Sequence, residues 1–225
     1  MGTVIGDILP LAVGVALSPI PIIAIILMLF SKNARSTSLG FLAGWFLGVT
    51  VVATAVVFIA DPAQQATGGE SSPMPATIRI LLGVLLLGAA YRNWKKRPRP
   101  GEQVEMPKWM SSIDSMTAGR ALGLGALLSG VNPKNLALIL AAGVAIAAAG
   151  LTTSQTIISL IIFILLACVS VAVPVIVYLV MGARAEPMLN GWKAWLTQNN
   201  ATVMMILLLV FGVVTLSKGL GALIG

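Results

Sequence analysis

The sequence predicts an all-α, polytopic membrane protein: six transmembrane helices as an inverted 3+3 repeat, helices 1 and 4 broken by proline, both termini outside. Three observations lead there. Of 225 residues, 58% are hydrophobic and 9% charged, against about 25% charge in soluble domains. The 14 Lys and Arg with 7 Asp and Glu are too few to cover the water-facing surface of a globule this size. The apolar residues gather into six runs, each near the roughly 20 residues that a helical bilayer crossing takes. The first and fourth runs are both interrupted, well inside their length, by a segment containing Ser and Pro.

The first run, 3–30, is preceded by no basic residue: Met1 to Pro10 holds neither Lys nor Arg, so the basic n-region of a cleaved signal peptide is absent and the span is expected to be retained. The second, 39–60, carries Gly40, Gly44 and Gly48, a small-xxx-small stripe that lets another helix come close. Packing inside the bundle is its first reading and a homodimer seam its second. The third run is 76–92, the fourth 120–149, the fifth 153–182 with Pro174 as a flexible point, and the sixth 201–223. All are read as helices, because lipid offers nothing to unpaired backbone groups and the alternating ten-residue segments of a barrel are absent. The organisation expected is a first three-helix repeat over 1–92, a cytoplasmic basic linker over 93–119 and a second repeat over 120–225.

Charge sets the orientation. Lys32 and Arg35, then Arg92, Lys95, Lys96, Arg97, Arg99, Lys108 and Arg120, then Arg184 and Lys193 all fall in loops on one side. The opposite loops, 61–75 and the turn around Gly150, hold none, so the basic side is expected to be cytoplasmic. Arg79 and Lys218 lie near outer helix ends, where long cationic side chains snorkel. Two inner connections carry more than a turn. Met188, Leu189, Trp192, Trp195 and Leu196 share one face of a short helix expected on the inner membrane surface. The segment 98–117 reads as a tether between halves, with an interfacial flap as the alternative.

The interrupted runs match one another. Gly14 to Ser18, followed by Pro19-Ile20-Pro21, has its counterpart in Gly125 to Ser129, followed by Gly130-Val131-Asn132-Pro133-Lys134, at an offset of 111 residues. Three spans separate the copies, so the second enters the membrane from the opposite side. At about 1.5 Å per residue, Ser18 lies ~22 Å along its run and Pro133 ~20 Å, inside a hydrocarbon core about 30 Å thick. Pro19 and Pro21 remove two backbone donors within three residues. Irregular backbone at that depth is tolerated where it lines a cavity or is buried in protein. Kinking for packing is the plainer reading of either proline segment alone.

Lys134 does not fit the loop pattern. An intramembrane ammonium is costly by roughly 2.5 to 3.5 kcal/mol on insertion scales, and it is expected to face a partner or a wet cavity. With Ser18, Ser129, Asn132, Asn135 and the half-helix starts at Pro19, Pro21 and Pro133, it would form a positive, donor-rich site for a phosphate, sulfate or carboxylate. Asp7, the one acid inside an apolar run, is its candidate ion-pair partner or a proton-coupling gate residue. With no His and one Cys, Cys168, paired-thiol redox chemistry, Cys/His metal cages and histidine relays are excluded. No metal or other cofactor is expected. No nucleophile with an adjacent base is visible, although Ser18 and Lys134 could mimic a Ser/Lys pair; an enzyme is not expected. The net charge of +7 is accounted for by loop asymmetry, not by nucleic-acid binding.

In its Ser18-Pro19-Ile20-Pro21 and Asn132-Pro133-Lys134-Asn135 segments the sequence resembles the lysine-exporter (LysE) superfamily of six-helix transporters. The pattern Ala16-Leu17-Ser18-Pro19-Ile20-Pro21, the entry Gly40-Phe41-Leu42-Ala43-Gly44-Trp45 and the length look like its GAP/Sap group, actinobacterial proteins associated with addressing glycopeptidolipids and sulfolipids to the cell envelope. The chain departs from the superfamily's thiol-redox carriers in lacking paired Cys and from its metal exporters in lacking His and clustered intramembrane carboxylates. It has Pro-Ile-Pro where the amino-acid exporters tend to have Pro-Gly-Pro. The resemblance implies a multi-pass plasma-membrane exporter of an anionic envelope lipid or its polar head. A small-solute exporter for an amino acid or organic ion, and an accessory subunit of a larger lipid-export machine, are the rival readings.

Overall fold

The computed structural model describes residues 1–66, 76–98 and 108–224, and among these every regular element is helical. In chain order they are α1 (Gly2–Ala16), α2 (Pro19–Leu29), α3 (Ala34–Ala66), α4 (Ala76–Lys95), a 3-10 segment (Lys108–Ser115), α5 (Ala118–Gly130), α6 (Pro133–Ala147), α7 (Thr153–Met181), a 3-10 turn (Gly182–Ala185) and α8 (Glu186–Ile224). Two helical stretches, Ala34–Ile59 and Thr153–Gly221, are long and apolar enough to cross a membrane. Each bent pair, α1 with α2 and α5 with α6, passes the same test when its two helices are taken together, as a broken span or a re-entrant loop would. The chain is a helical membrane protein.

The first apolar run is two helices bent by 51°, and the fourth is two helices bent by 63°. Both breaks have one form: two residues outside the helix, the second a polar N-cap, Ser18 or Asn132, and then proline at the first helical position, Pro19 or Pro133. Proline by itself is not sufficient to break a helix here, since Pro10 and Pro174 lie inside α1 and α7. What differs at Pro19 is the second proline two residues on, which removes another amide from the same turn. The structural offset between the breaks is therefore 114 residues, Pro19 to Pro133, and not the 111 that pairs Ser18 with Ser129. A cap followed by proline fixes where a helix restarts, and that makes Asn132 the positional equivalent of Ser18.

Other boundaries moved for local reasons. α3 begins five residues before the expected 39, because Ser36 and Thr37 donate to the Asn33 carbonyl and Ser38 to that of Arg35, which keeps polar residues inside the first turns. α7 opens at Thr153, as expected, on a capping box between Thr152 and Gln155, and it ends at Gly182, whose φ of 56° suits glycine. The surface helix expected around Trp192 is not a separate element. No proline follows Pro187, so Met188 to Leu196 form the first turns of α8, which runs on to Ile224. Of that apolar face only Leu189 is fully buried, while Trp192 and Trp195 are exposed. In the described part of the 98–117 segment, Met110 and Ile113 are buried in a 3-10 segment that packs on α2. Residues 99–107, Asp61, Arg79 and Lys218 lie outside the residues or side chains described.

The helices form two compact units. One comprises α1 to α3, the 3-10 segments, α5 to α7 and the start of α8; the other comprises α4 and the rest of α8. In the second unit, a Cβ at Gly83 would meet Leu216 and one at Gly212 would meet Leu87, so α4 and α8 touch backbone to side chain. In the first, the core is built around Phe41, Trp45, Ile25, Ile26, Ile139, Ile146 and Phe163, all fully buried. The Trp45 indole donates to the Ala167 carbonyl, 3.3 Å, tying α3 to α7.

The Gly40, Gly44, Gly48 stripe is an internal seam with α5. A Cβ at Gly40 would lie 2.5 Å from the Ala118 carbonyl oxygen, one at Gly44 1.9 Å from that of Leu122, and one at Gly48 2.1 Å from the Ser129 hydroxyl. From the other side, a Cβ at Gly125 would lie 2.3 Å from the Phe41 oxygen. The stripe is therefore occupied within the chain, which takes away its availability as a homodimer seam. Gly44→Ala should force the helices apart and cost about 1–3 kcal/mol, as overpacking does. Gly119→Ala, where a Cβ meets nothing within 4 Å, should be neutral or stabilising by up to ~1 kcal/mol. Thermal unfolding of the two purified variants checks the contrast.

Candidate functional site

Breaking a helix in lipid orphans backbone groups, so the first question at residues 14–18 is where each carbonyl finds its donor. The Val13 carbonyl keeps a normal partner, the Leu17 amide at 2.8 Å. Leu17 then has φ −76° and ψ 63°, an inverse γ-turn, so the Ser18 amide bonds the Ala16 carbonyl at 2.7 Å and abandons that of Gly14. Pro19 has no amide for Val15, and Pro21 none for Leu17. Gly14, Val15 and Leu17 are thus the three carbonyls that the break leaves over.

Side chains answer all three. Lys134 Nζ donates to the Gly14 carbonyl at 2.8 Å and to that of Leu17 at 3.2 Å, and it places a third proton on Ser18 Oγ at 2.8 Å. That uses the three donors of an ammonium. Ser18 Oγ, 2.8 Å from the Val15 carbonyl and 3.1 Å from Asn135 Oδ1, has one proton to share between them. A fourth helix joins in, since Ser170 Oγ on α7 donates to the Ala16 carbonyl at 2.6 Å.

The second break is closed more locally. The Val131 amide bonds the Leu127 carbonyl at 2.9 Å, Asn135 Nδ2 bonds that of Leu128 at 3.0 Å, and Asn132 Oδ1 caps α6 by accepting from the Lys134 amide at 3.1 Å. Asn135 is completely buried and belongs to both breaks: its nitrogen serves the end of α5 while its oxygen faces Ser18. The first turn of α2 brings one amide, that of Ile20, because Pro19 and Pro21 have none. The donor-rich character expected of that half-helix start is correspondingly reduced.

Lys134 sits where the C-terminal, negative end of α1's dipole points, and it is half-buried. None of its three partners is an acid. Asp7, exposed on α1, lies eleven residues before Ser18, ~16 Å along a helix, and is not among them. Ser129 is buried but turned to the glycine seam, donating to the Ala126 carbonyl at 3.1 Å. Of the expected site residues, the structure gathers Ser18, Lys134 and Asn135 by direct bonds, with Pro19, Pro21, Asn132 and Pro133 setting the backbone around them. Asp7, Ser129 and the three glycines have other surroundings.

Ser18 and Lys134 do meet, with the lysine nitrogen donating to the hydroxyl at 2.8 Å. In its ammonium form the lysine can direct one N–H at each of the three oxygens, the Gly14 and Leu17 carbonyls and Ser18 Oγ. The group acts as donor and charge. What sequence reasoning missed are the Gly14 and Leu17 carbonyls and Ser170. Counting back four residues from Pro21 names Leu17 directly; Ser170, four residues before Pro174, carried no comparable signal.

Residues 8–221 match the family described as Sap, sulfolipid-1-addressing protein. No curated protein and no solved structure matches the chain.

The bonding ledger ranks the side chains. Asn135→Leu removes the donor to the half-buried Leu128 carbonyl and should cost about 1–3 kcal/mol, whereas Ser170→Ala, whose acceptor keeps the Ser18 amide, should cost about 0.5–1.5 kcal/mol. Denaturation of the two variants in the same detergent checks the order.

Proposed function

The chain belongs to the Sap, sulfolipid-1-addressing protein, family, and from that premise we propose that it is a transporter moving an anionic cell-envelope lipid, or its polar head, outward across the plasma membrane. The observation that carries this reading is the Lys134 ammonium: it is solvated by the Gly14 and Leu17 carbonyls and Ser18 Oγ, and among the described residues no carboxylate bonds it. Dipoles satisfy its hydrogen bonds without cancelling its charge. A half-buried, unneutralised cation is costly and favours an anionic partner. A sulfate, phosphate or carboxylate on a lipid head supplies a full negative charge where carbonyls supply partial ones.

The two breaks give such a site a way to change access. In this reading the chain crosses the membrane six times with both termini outside, the halves forming an inverted repeat, and one half rocks against the other around the paired breaks. Asn135 is placed to register the movement, since it bonds one break and faces the other. Pro19, Pro21, Asn132 and Pro133 hold the backbone open, and Ser18 and Lys134 meet the head group. No covalent step and no cofactor enter the cycle. Envelope lipids are the partners, with Asp7 left as an outer-gate residue away from the anion.

Reconstituted vesicles test the proposal, with a fluorescent anionic lipid in the bilayer and a labelled amino-acid mixture in the lumen. Wild type should move the lipid between leaflets, and Lys134→Ala should lower the rate at least tenfold, about 1.4 kcal/mol in transition-state terms. Lys134→Arg should also be impaired, because a planar guanidinium fork does not replace a point ammonium among three converging oxygens. Efflux of amino acids in place of lipid crossing would make the chain a small-solute exporter. Inactivity alone, with activity restored by a copurifying transporter, would make it an accessory subunit.

A further inference from the structure

We propose that the Gly14 and Leu17 carbonyls and Ser18 Oγ form a seat for a monovalent cation of ammonium size, and that Lys134 is its tethered occupant. The proposal goes beyond the transport reading and stands without it, since it concerns what the end of α1 requires whatever passes by. The break orphans the two carbonyls irrespective of residue 134, because the causes lie in α1 and α2: the γ-turn at Leu17, which diverts the Ser18 amide, and the missing amide of Pro21. If the lysine leaves, the need for positive charge at that end remains. The three oxygens converge on one point, where Nζ now lies, and two of them belong to the negative end of a helix dipole.

The dimensions choose among cations. The seat's distances of 2.8, 2.8 and 3.2 Å are those of N–H···O bonds and exceed the 2.0–2.6 Å at which magnesium and calcium bind oxygen. Among the described residues, the oxygens bonded to Lys134 Nζ are two carbonyls and a hydroxyl, with no carboxylate to offset a second positive charge. Ammonium fits, and potassium is close to it in size; sodium would have to draw all three oxygens inward. The lysine reaches the seat from α6, so the same cation also ties the second broken pair to the first. Movement of the ammonium out of the seat, for any reason, would open a place for a free cation.

The test uses the full chain purified in detergent as Lys134→Ala, with unfolding temperature measured in sodium, potassium, ammonium or choline chloride at one ionic strength. Potassium and ammonium should raise the unfolding temperature saturably, by about 3–6 °C at ten times their dissociation constant, with sodium weaker and choline inert. Wild type, whose seat is filled, should show no such ranking. Lys134→Met, which fills the space with an apolar side chain, should not respond, and adding Ser18→Ala to Lys134→Ala should weaken the response. Equal unfolding temperatures in all four salts would mean that water alone fills the place and would overturn the proposal. Should Lys134→Ala prove hard to obtain, Lys134→Ser is read the same way, and failure to recover either one folded in ammonium chloride would count against the seat.

Discussion

The three carbonyls left over at the end of α1, those of Gly14, Val15 and Leu17, are the constraint on which the first unit depends. A helix interrupted inside a membrane must satisfy them without water, and the helix's own amides are diverted by a γ-turn or replaced by proline nitrogens. The sequence can afford the break only because donors arrive from elsewhere: Lys134 from α6, Ser170 from α7 and Ser18 from within. Each donor belongs to a helix that must then lie against α1. The break thereby dictates its neighbours, and α1 packs on α6 and α7 as the bonds require.

The glycine seam makes that arrangement reachable. α3 and α5 approach until backbone touches backbone at Gly40, Gly44 and Gly125, and in lipid close packing of this kind replaces the hydrophobic drive that would bring helices together in water. α5 is the first half of the second broken pair, so its position fixes where Asn132 and Pro133 restart the chain as α6 and where Lys134 begins its reach. Trp45, on the same helix as the seam glycines, binds the Ala167 carbonyl one turn before Ser170. One long helix thus locates both donors of the α1 end. The order of dependence runs from small residues, through helix separation, to the placement of one ammonium.

Much of this was legible in the sequence, and the reasons are physical. Proline tells where a helix loses amides, so the breaks at Pro19 and Pro133 could be read directly. A lysine inside an apolar run is too costly to be incidental, so Lys134 could be singled out. Identity matching, in contrast, paired Ser18 with Ser129, whereas geometry pairs Ser18 with Asn132, since a cap is defined by the proline that follows it and not by its own residue type. Backbone partners such as Gly14 have no side-chain signature, and Ser170 looked like any serine in an apolar helix. The 187–196 segment misled for another reason: its apolar face and its tryptophans belong as well to the start of a long helix as to a separate one, and nothing local ends it.

The charge arithmetic at the break separates two questions that the sequence merges. Hydrogen-bond satisfaction at the α1 end is complete for the lysine, with three protons on three oxygens, and so gives no reason for a ligand. Charge compensation is incomplete among the described residues, with one full positive charge set against partial dipoles, and so favours an anion. A donor-based argument would place a ligand on unpaired N–H groups, which the prolines of α2 have largely removed. A charge-based argument places it near Lys134 without asking the lysine to be unbonded. In the proposed transport cycle, binding of an anion there would be a competition between carbonyl dipoles and a charged head for one ammonium, which would let the break be closed in the absence of cargo and responsive to it.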